Sequence, residues 1–264
     1  MIQSLWTGAS GLSAQQFKVD TIANNLANVN TVAFKRDAVR FSDALYSRMR
    51  PEERVTLRGR RVTAGYDRGH GVQILGTDRL YSQGTLEPSD QPTDLAIEGP
   101  GFLRVRLPDG GDALTRDGSL RVDGAGQLVT ADGYPVLDSA GNPLVIPAGS
   151  HEIAIDSQGR VTAFVAHEGD SRHQEVGQIG LVAPEDTSAL RPMGRNLYRL
   201  EPGAGSADAY EAGARLRQGA LERSNVDLAQ EMVELITAQR AYELASRAVR
   251  TADEMMALAN SLRR

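Results

Sequence analysis

The run Leu228-Ala229-Gln230-Glu231-Met232-Val233-Glu234-Leu235-Ile236, continuing through Tyr242 and Val249 to Met256 and Ala259, decides how this chain is read. Leu228, Leu235, Tyr242, Val249 and Met256 fall at steps of seven. Ala238, Ala245, Ala252 and Ala259 form a second such series, three residues after members of the first. Alternating steps of three and four are the seam of a coiled coil, and the small alanines let a partner helix approach closely. Roughly 35 residues from Val226 onward hold neither Gly nor Pro, enough for a helix of about 50 Å at 1.5 Å per residue. At the other end Leu5, Leu12, Val19 and Leu26 also step by seven, with Ala9 and Ile22 or Ala23 between them. Two apolar seams at opposite ends imply one shared helical element. Periodicity alone leaves open a plainer alternative, two amphipathic helices lying on the core of a monomer.

Working inward, four asparagines crowd Asn24-Asn25-Leu26-Ala27-Asn28-Val29-Asn30. Asparagine suits caps and turns better than helix interiors. The segment reads either as a fraying helix end or as amides that bond neighbouring subunits. Residues 34–47 read as a short helix or an extended strand. Residues 48–68 then hold Arg48, Arg50, Arg54, Arg58, Arg60, Arg61 and Arg68 against Glu52, Glu53 and Asp67. That stretch is either a solvated loop or an extended arm laid against an acidic surface.

From about 71 to 222 the pattern is β. Short alternating runs such as Phe102-Leu103-Arg104-Val105-Arg106-Leu107 are separated by Asp109-Gly110, Asp117-Gly118, Asp123-Gly124 and Asp132-Gly133, and Asp-Gly is a strong hairpin signal. No helical interludes occur, so an antiparallel meander is expected. Ser224 or Asn225 is expected to cap the C-terminal helix, with Asp227 completing a capping box after Ser224. The reading is thus α+β. A discontinuous helical domain comes from residues 1–36 and 224–264, an arm from 46–70, and a β-rich outer domain from 71–223.

Composition narrows the chemistry. The 264 residues carry a net charge of −5, which argues against bulk nucleic-acid binding. No apolar run reaches the ~18 residues of a membrane span, so no membrane insertion is expected. The absence of cysteine rules out disulfides, a thiol nucleophile and thiolate metal sites. The start, Met1-Ile2-Gln3-Ser4-Leu5-Trp6, has neither the basic region nor the continuous apolar core of a cleaved signal peptide. The Asp-Gly loops lack the alternating acids and terminal Glu of a calcium loop. Of the four histidines, His70, His151, His167 and His173, only the last two are close together, and they read as flanking a hairpin loop, which is expected to lack a rigid frame for a metal. Gly99-Pro100-Gly101-Phe102 lacks the lysine of a phosphate loop, and no Gly-x-Ser-x-Gly elbow occurs. No enzymatic activity, no catalytic residue, no metal and no cofactor are expected.

Several longer motifs carry a resemblance. Gly11-Leu12-Ser13-Ala14-Gln15-Gln16, Ile22 to Thr31 and Phe34-Lys35 are similar to the N-terminal signature of flagellar basal-body rod and hook proteins. Ser224-Asn225-Val226-Asp227, Glu231 to Ile236 and Gln239-Arg240-Ala241-Tyr242-Glu243 look like the matching C-terminal signature. Between them, Ser82-Gln83-Gly84-Thr85-Leu86, Asp94 to Phe102 and Leu114 to Ser119 resemble the family's central β-domain. Nearly the whole chain is covered, and length and motifs are most similar to the distal-rod members. One departure is Thr31-Val32-Ala33-Phe34-Lys35, which lacks the Gly common before the aromatic.

The resemblance implies a structural subunit, exported by the flagellar type III apparatus without a cleaved signal peptide. It would polymerise helically, outside the cytoplasmic membrane, into the hollow drive shaft that transmits torque from motor to hook. Its partners would be copies of itself, other rod and hook proteins and the export apparatus. The residues expected at the assembly interface are Leu5, Leu12, Val19, Asn24, Asn25, Leu26, Asn28, Leu228, Leu235, Tyr242, Val249 and Met256, with Arg54, Arg58, Arg60 and Arg61 on the inter-subunit arm. A proximal-rod or hook-type paralogue is the nearest alternative. An extracellular carbohydrate-binding β-module is disfavoured by an aromatic content of only 5%.

Overall fold

A computed structural model describes residues 2–48, 53–57, 60–64, 67–167 and 170–261. The chain divides into two compact units, Met1–Ala27 with Asp37–Leu80 and Asp227–Arg264, and Asn28–Arg36 with Tyr81–Val226. Residues 28–36 therefore group with the β-rich part, and residues 37–80 with the helices.

The first unit contains helix α1 (Ile2–Ala27) and helix α2 (Leu228–Ser261). They pack on each other, and α1 also packs on the strands Asp37–Asp43 and Val72–Arg79. Those strands open a ribbon of nested antiparallel pairs. Tyr46–Arg48 pairs with Asp67–Gly69, and Glu53–Leu57 with Arg60–Ala64. The Arg-rich stretch is thus a two-stranded ribbon wherever it is described. A bulge between Arg40 and Phe41 is accommodated opposite by Gly76 at φ +148°, a region costly for any residue with a Cβ.

The helix start differs from expectation. The Asp227 carboxylate accepts from the Ala229 and Gln230 amides at 2.8 and 3.2 Å, so Asp227 is the N-cap. Ser224 Oγ instead accepts from the Val226 amide, 3.3 Å away, a local turn that precedes the helix. A carboxylate serves the exposed amides and the positive helix end together, which a hydroxyl cannot.

The second unit is antiparallel β-structure around Leu95, Ile97, Leu103, Val105, Leu128, Val136, Val161 and Ile179, all buried. Six strands, in the order 190–194, 197–200, 112–115, 102–106, 181–184 and 206–208, form its largest sheet. Three more, Ser150–Ile155, Arg160–His167 and Asp170–Gln178, form another. The arrangement is not a simple meander. Leu95–Glu98 pairs with Arg215–Gln218, and Leu86–Pro88 with Ala220–Glu222, so the two ends of the β-region close on each other. Asp109-Gly110 and Asp123-Gly124 do turn hairpins, between 102–106 and 112–115 and between 120–122 and 128–130. Asp117-Gly118 does not. Gly118 lies against the Leu95 backbone, where an added Cβ would sit 1.6 Å from the Leu95 carbonyl oxygen; close approach, not turning, requires that glycine.

Candidate assembly interface

Helix geometry gives α2 two apolar faces. At about 100° per residue, Glu231, Ala238, Ala245, Val249, Ala252 and Met256 share an arc of roughly 60°. Along it Glu231, Ala238 and Ala252 are buried and the others half-buried. Glycine allows the approach to α1: a Cβ on Gly8 would come within 2.5 Å of Val249 Cγ2. Lys18 Nζ lies 3.6 Å from Glu234 Oε2. The second face, Val233, Ile236, Leu244, Met255 and Leu258, is centred about 140° away and is exposed, Leu244 by 65%. On α1, Trp6 is 72% exposed.

The residues expected at an interface divide accordingly. Leu5, Leu12, Val19, Leu26, Asn28, Leu235, Val249 and Met256 are half-buried within the chain. Asn24, Leu228 and Tyr242 are exposed. Asn25 is 1% exposed and works inside the chain. Its Nδ2 donates to the Asp37 carbonyl at 2.9 Å and to Glu231 Oε2 at 3.2 Å, and its Oδ1 accepts from the Asp37 amide at 3.0 Å. One amide thereby ties α1, the ribbon and α2 together, satisfying a backbone group that burial would otherwise orphan. Arg54 lies in the strand Glu53–Leu57, Arg60 and Arg61 in the strand Arg60–Ala64, and Arg58 lies outside the described residues.

A second constellation lies in the β-rich unit; Lys35, Gly84, Gly99 and Arg116 fall within motifs quoted above, but nothing in the sequence places them together. Lys35 Nζ donates to Glu222 Oε1 at 2.6 Å and to the Ser82 carbonyl at 2.8 Å. The Gly84 amide reaches the same Glu222 oxygen at 2.8 Å. Arg116 Nε lies 3.1 Å from Glu222 Oε2 without completing a hydrogen bond. The Arg116 Nη2 donates to the Gly99 carbonyl at 2.7 Å, and its guanidinium sits over the Phe102 ring. Phe102 in turn meets Tyr81 and Tyr198 edge-on, with centroids 5.8 and 5.7 Å away. All three charged side chains are nearly or fully buried. Burial holds the Lys35 ammonium below the usual lysine range, with Glu222 opposing and Arg116 adding to the shift. Burial likewise lowers the pKa of Arg116. The cluster is a lock that joins residues 35, 82–84, 99, 116 and 222.

The chain's motifs recur in other proteins. Residues 5–35 match the family described as flagella basal body rod protein. Residues 96–163 match the flagellar hook protein FlgE/F/G D1 domain, and residues 217–262 the flagellar basal body rod FlgEFG protein C-terminal family. The flagellar basal-body rod protein FlgG of Borreliella burgdorferi is 42% identical over 100% of both chains. That of Caulobacter vibrioides is 39% identical over 99% of this chain and 100% of its own. That of Bacillus subtilis is 36% identical over 97% of each. With likeness of this extent running through both helices and the β-rich unit, the chain belongs to the flagellar basal-body rod family, in its FlgG branch.

Proposed function

We propose that the protein acts by self-assembly: copies pack through their terminal helices into the helical, hollow wall of the distal rod, the shaft that carries torque to the hook. The protein is a structural subunit of that rod. The observation that carries the assembly reading is the second apolar face of α2. A helix that buries one face on α1 and leaves Val233, Ile236, Leu244, Met255 and Leu258 in water has the surface of a subunit without its neighbours. Burying such side chains against another copy is favourable by about 1.5–3 kcal/mol each. The partners are further copies, other rod and hook proteins, and the export apparatus that delivers the chain beyond the cytoplasmic membrane. Catalysis has no part in this role.

Leu244→Glu and Tyr242→Ala test it. Each is expected to leave the β-rich unit folded, by its near-ultraviolet circular dichroism. In a strain relying on the variant, basal bodies imaged by electron microscopy are expected to stop short of a complete rod, and motility is expected to be lost. Full-length rods and normal swimming with Leu244→Glu would overturn the reading.

A further inference from the structure

Three described non-glycine residues adopt positive φ, and only Ala33, at φ +55°, is buried. It occupies the third position of the turn Thr31–Phe34, closed by a 3.3 Å bond from the Phe34 amide to the Thr31 carbonyl. Turns with positive φ at that position are the ones that favour Gly or Asn. A left-handed alanine is disfavoured about tenfold, the equivalent of ~1.4 kcal/mol. Contacts from residues 196, 222 and 225 hold it there, and Asn196 Nδ2 donates to the Val32 carbonyl at 2.8 Å. The Ala33 amide donates to the Glu222 carbonyl at 2.8 Å. Lys35 Nζ donates to the Glu222 carboxylate. The Asn225 amide donates to the Phe34 carbonyl at 3.3 Å, and Asn225 Oδ1 accepts from the Arg36 amide at 2.7 Å. Residues 222 and 225 thus grip four consecutive residues, 33 to 36. The lock is a poor source of net stability, because it buries two cations for one carboxylate. Holding a costly backbone conformation is a use for it that stability alone does not provide.

We propose that residues 31–36 are a spring-loaded segment, which Glu222 and Asn225 hold in a strained left-handed turn and which relaxes to a second path once that grip opens. In sequence the segment lies between α1 and the strand Asp37–Asp43. The proposal stands apart from the rod reading, since it concerns contacts within one copy.

The test uses the full-length protein. Lys35 and Arg36 are tryptic sites inside the segment, and amide exchange at Phe34 to Arg36 reads its opening. Ala33→Gly, which removes the strain, is expected to slow exchange and cleavage there by about threefold to tenfold. Glu222→Gln and, separately, Asn225→Ala are expected to speed both by more than about tenfold. In Asn225→Ala the Ala33 Cα and Cβ chemical shifts are expected to leave their left-handed values. Adding Ala33→Gly to either variant is expected to slow its opening again. Unchanged opening in Ala33→Gly, or left-handed Ala33 shifts persisting in the opened Asn225→Ala variant, would overturn the proposal. If Glu222→Gln unfolds the whole unit, Ala33→Gly and Asn225→Ala decide it alone.

Discussion

Lys35, Arg116 and Glu222 show that a buried ion cluster can add little net stability and still be costly to break. Removing the carboxylate's charge by Glu222→Gln leaves two buried cations with no anion, and a broken buried pair costs about 3–5 kcal/mol. Urea unfolding followed by the aromatic signal of Tyr81, Phe102 and Tyr198 is expected to show that loss. The lysine adds a pH dependence whose sign is fixed by its shift. Its folded pKa lies below the usual 10.5. Between the two values the unfolded chain holds a proton that the folded chain has shed, so the contribution to unfolding free energy rises with pH up to about 10.5. The parent is therefore expected to gain stability relative to Lys35→Met between neutral and alkaline pH, in paired urea melts. A difference that shrinks over that range would contradict the burial of the ammonium. None of this was legible in the sequence. Lys35 and Glu222 stand 187 residues apart, and nothing beside either in the sequence points to the other. The Gly84, Gly99 and Arg116 motifs were visible, but only as signatures without a common place.

At the scale of elements, the seven-residue steps did locate both helices, because a seam obliges apolar residues to repeat wherever two helices meet. What periodicity could not separate was which apolar positions face α1 and which face outward. Val233, Ile236 and Leu244 lie off the seam, and their exposure becomes visible only when the partner helix is in place. The asparagine cluster was equally ambiguous. Asn25 proves to be an internal tie, a role decided by Asp37 and Glu231 and not by its neighbours in sequence. The cap was misplaced for a similar reason, since Ser224, Asn225 and Asp227 are all good capping residues and only the backbone path selects among them. Asp227→Ala is expected to cost about 1 kcal/mol, read as a lower thermal midpoint and faster amide exchange at Ala229 and Gln230. Ser224→Ala is expected to leave those two amides unchanged.

At the scale of the whole molecule, the Asp-Gly turns made the antiparallel β-class legible, but the long-range pairings left no mark that a single sequence displays. We propose that the Arg-rich stretch shapes the assembled rod, and a deletion tests this. Deleting residues 50–66 is expected to give basal bodies that still assemble but are bent or mechanically soft, because exposed charge pairs are worth only about 0–1 kcal/mol each and so bear on geometry more than on affinity. Straight, wild-type-like rods by electron microscopy would make the stretch a passive ribbon. The closure of Leu86–Pro88 onto Ala220–Glu222 bears on time as well as on form. Pairing strands so far apart in sequence is slow, because the entropy of closing a long loop is spent before any contact returns it. A chain delivered N-terminus first must present residue 222 of its 264 before that seam can shut. Delivered the other way, it must present everything back to Lys35 before the lock can form. From either end, the closure of the β-rich unit waits on most of the chain, while its local hairpins, such as 102–106 with 112–115, wait on nothing distant.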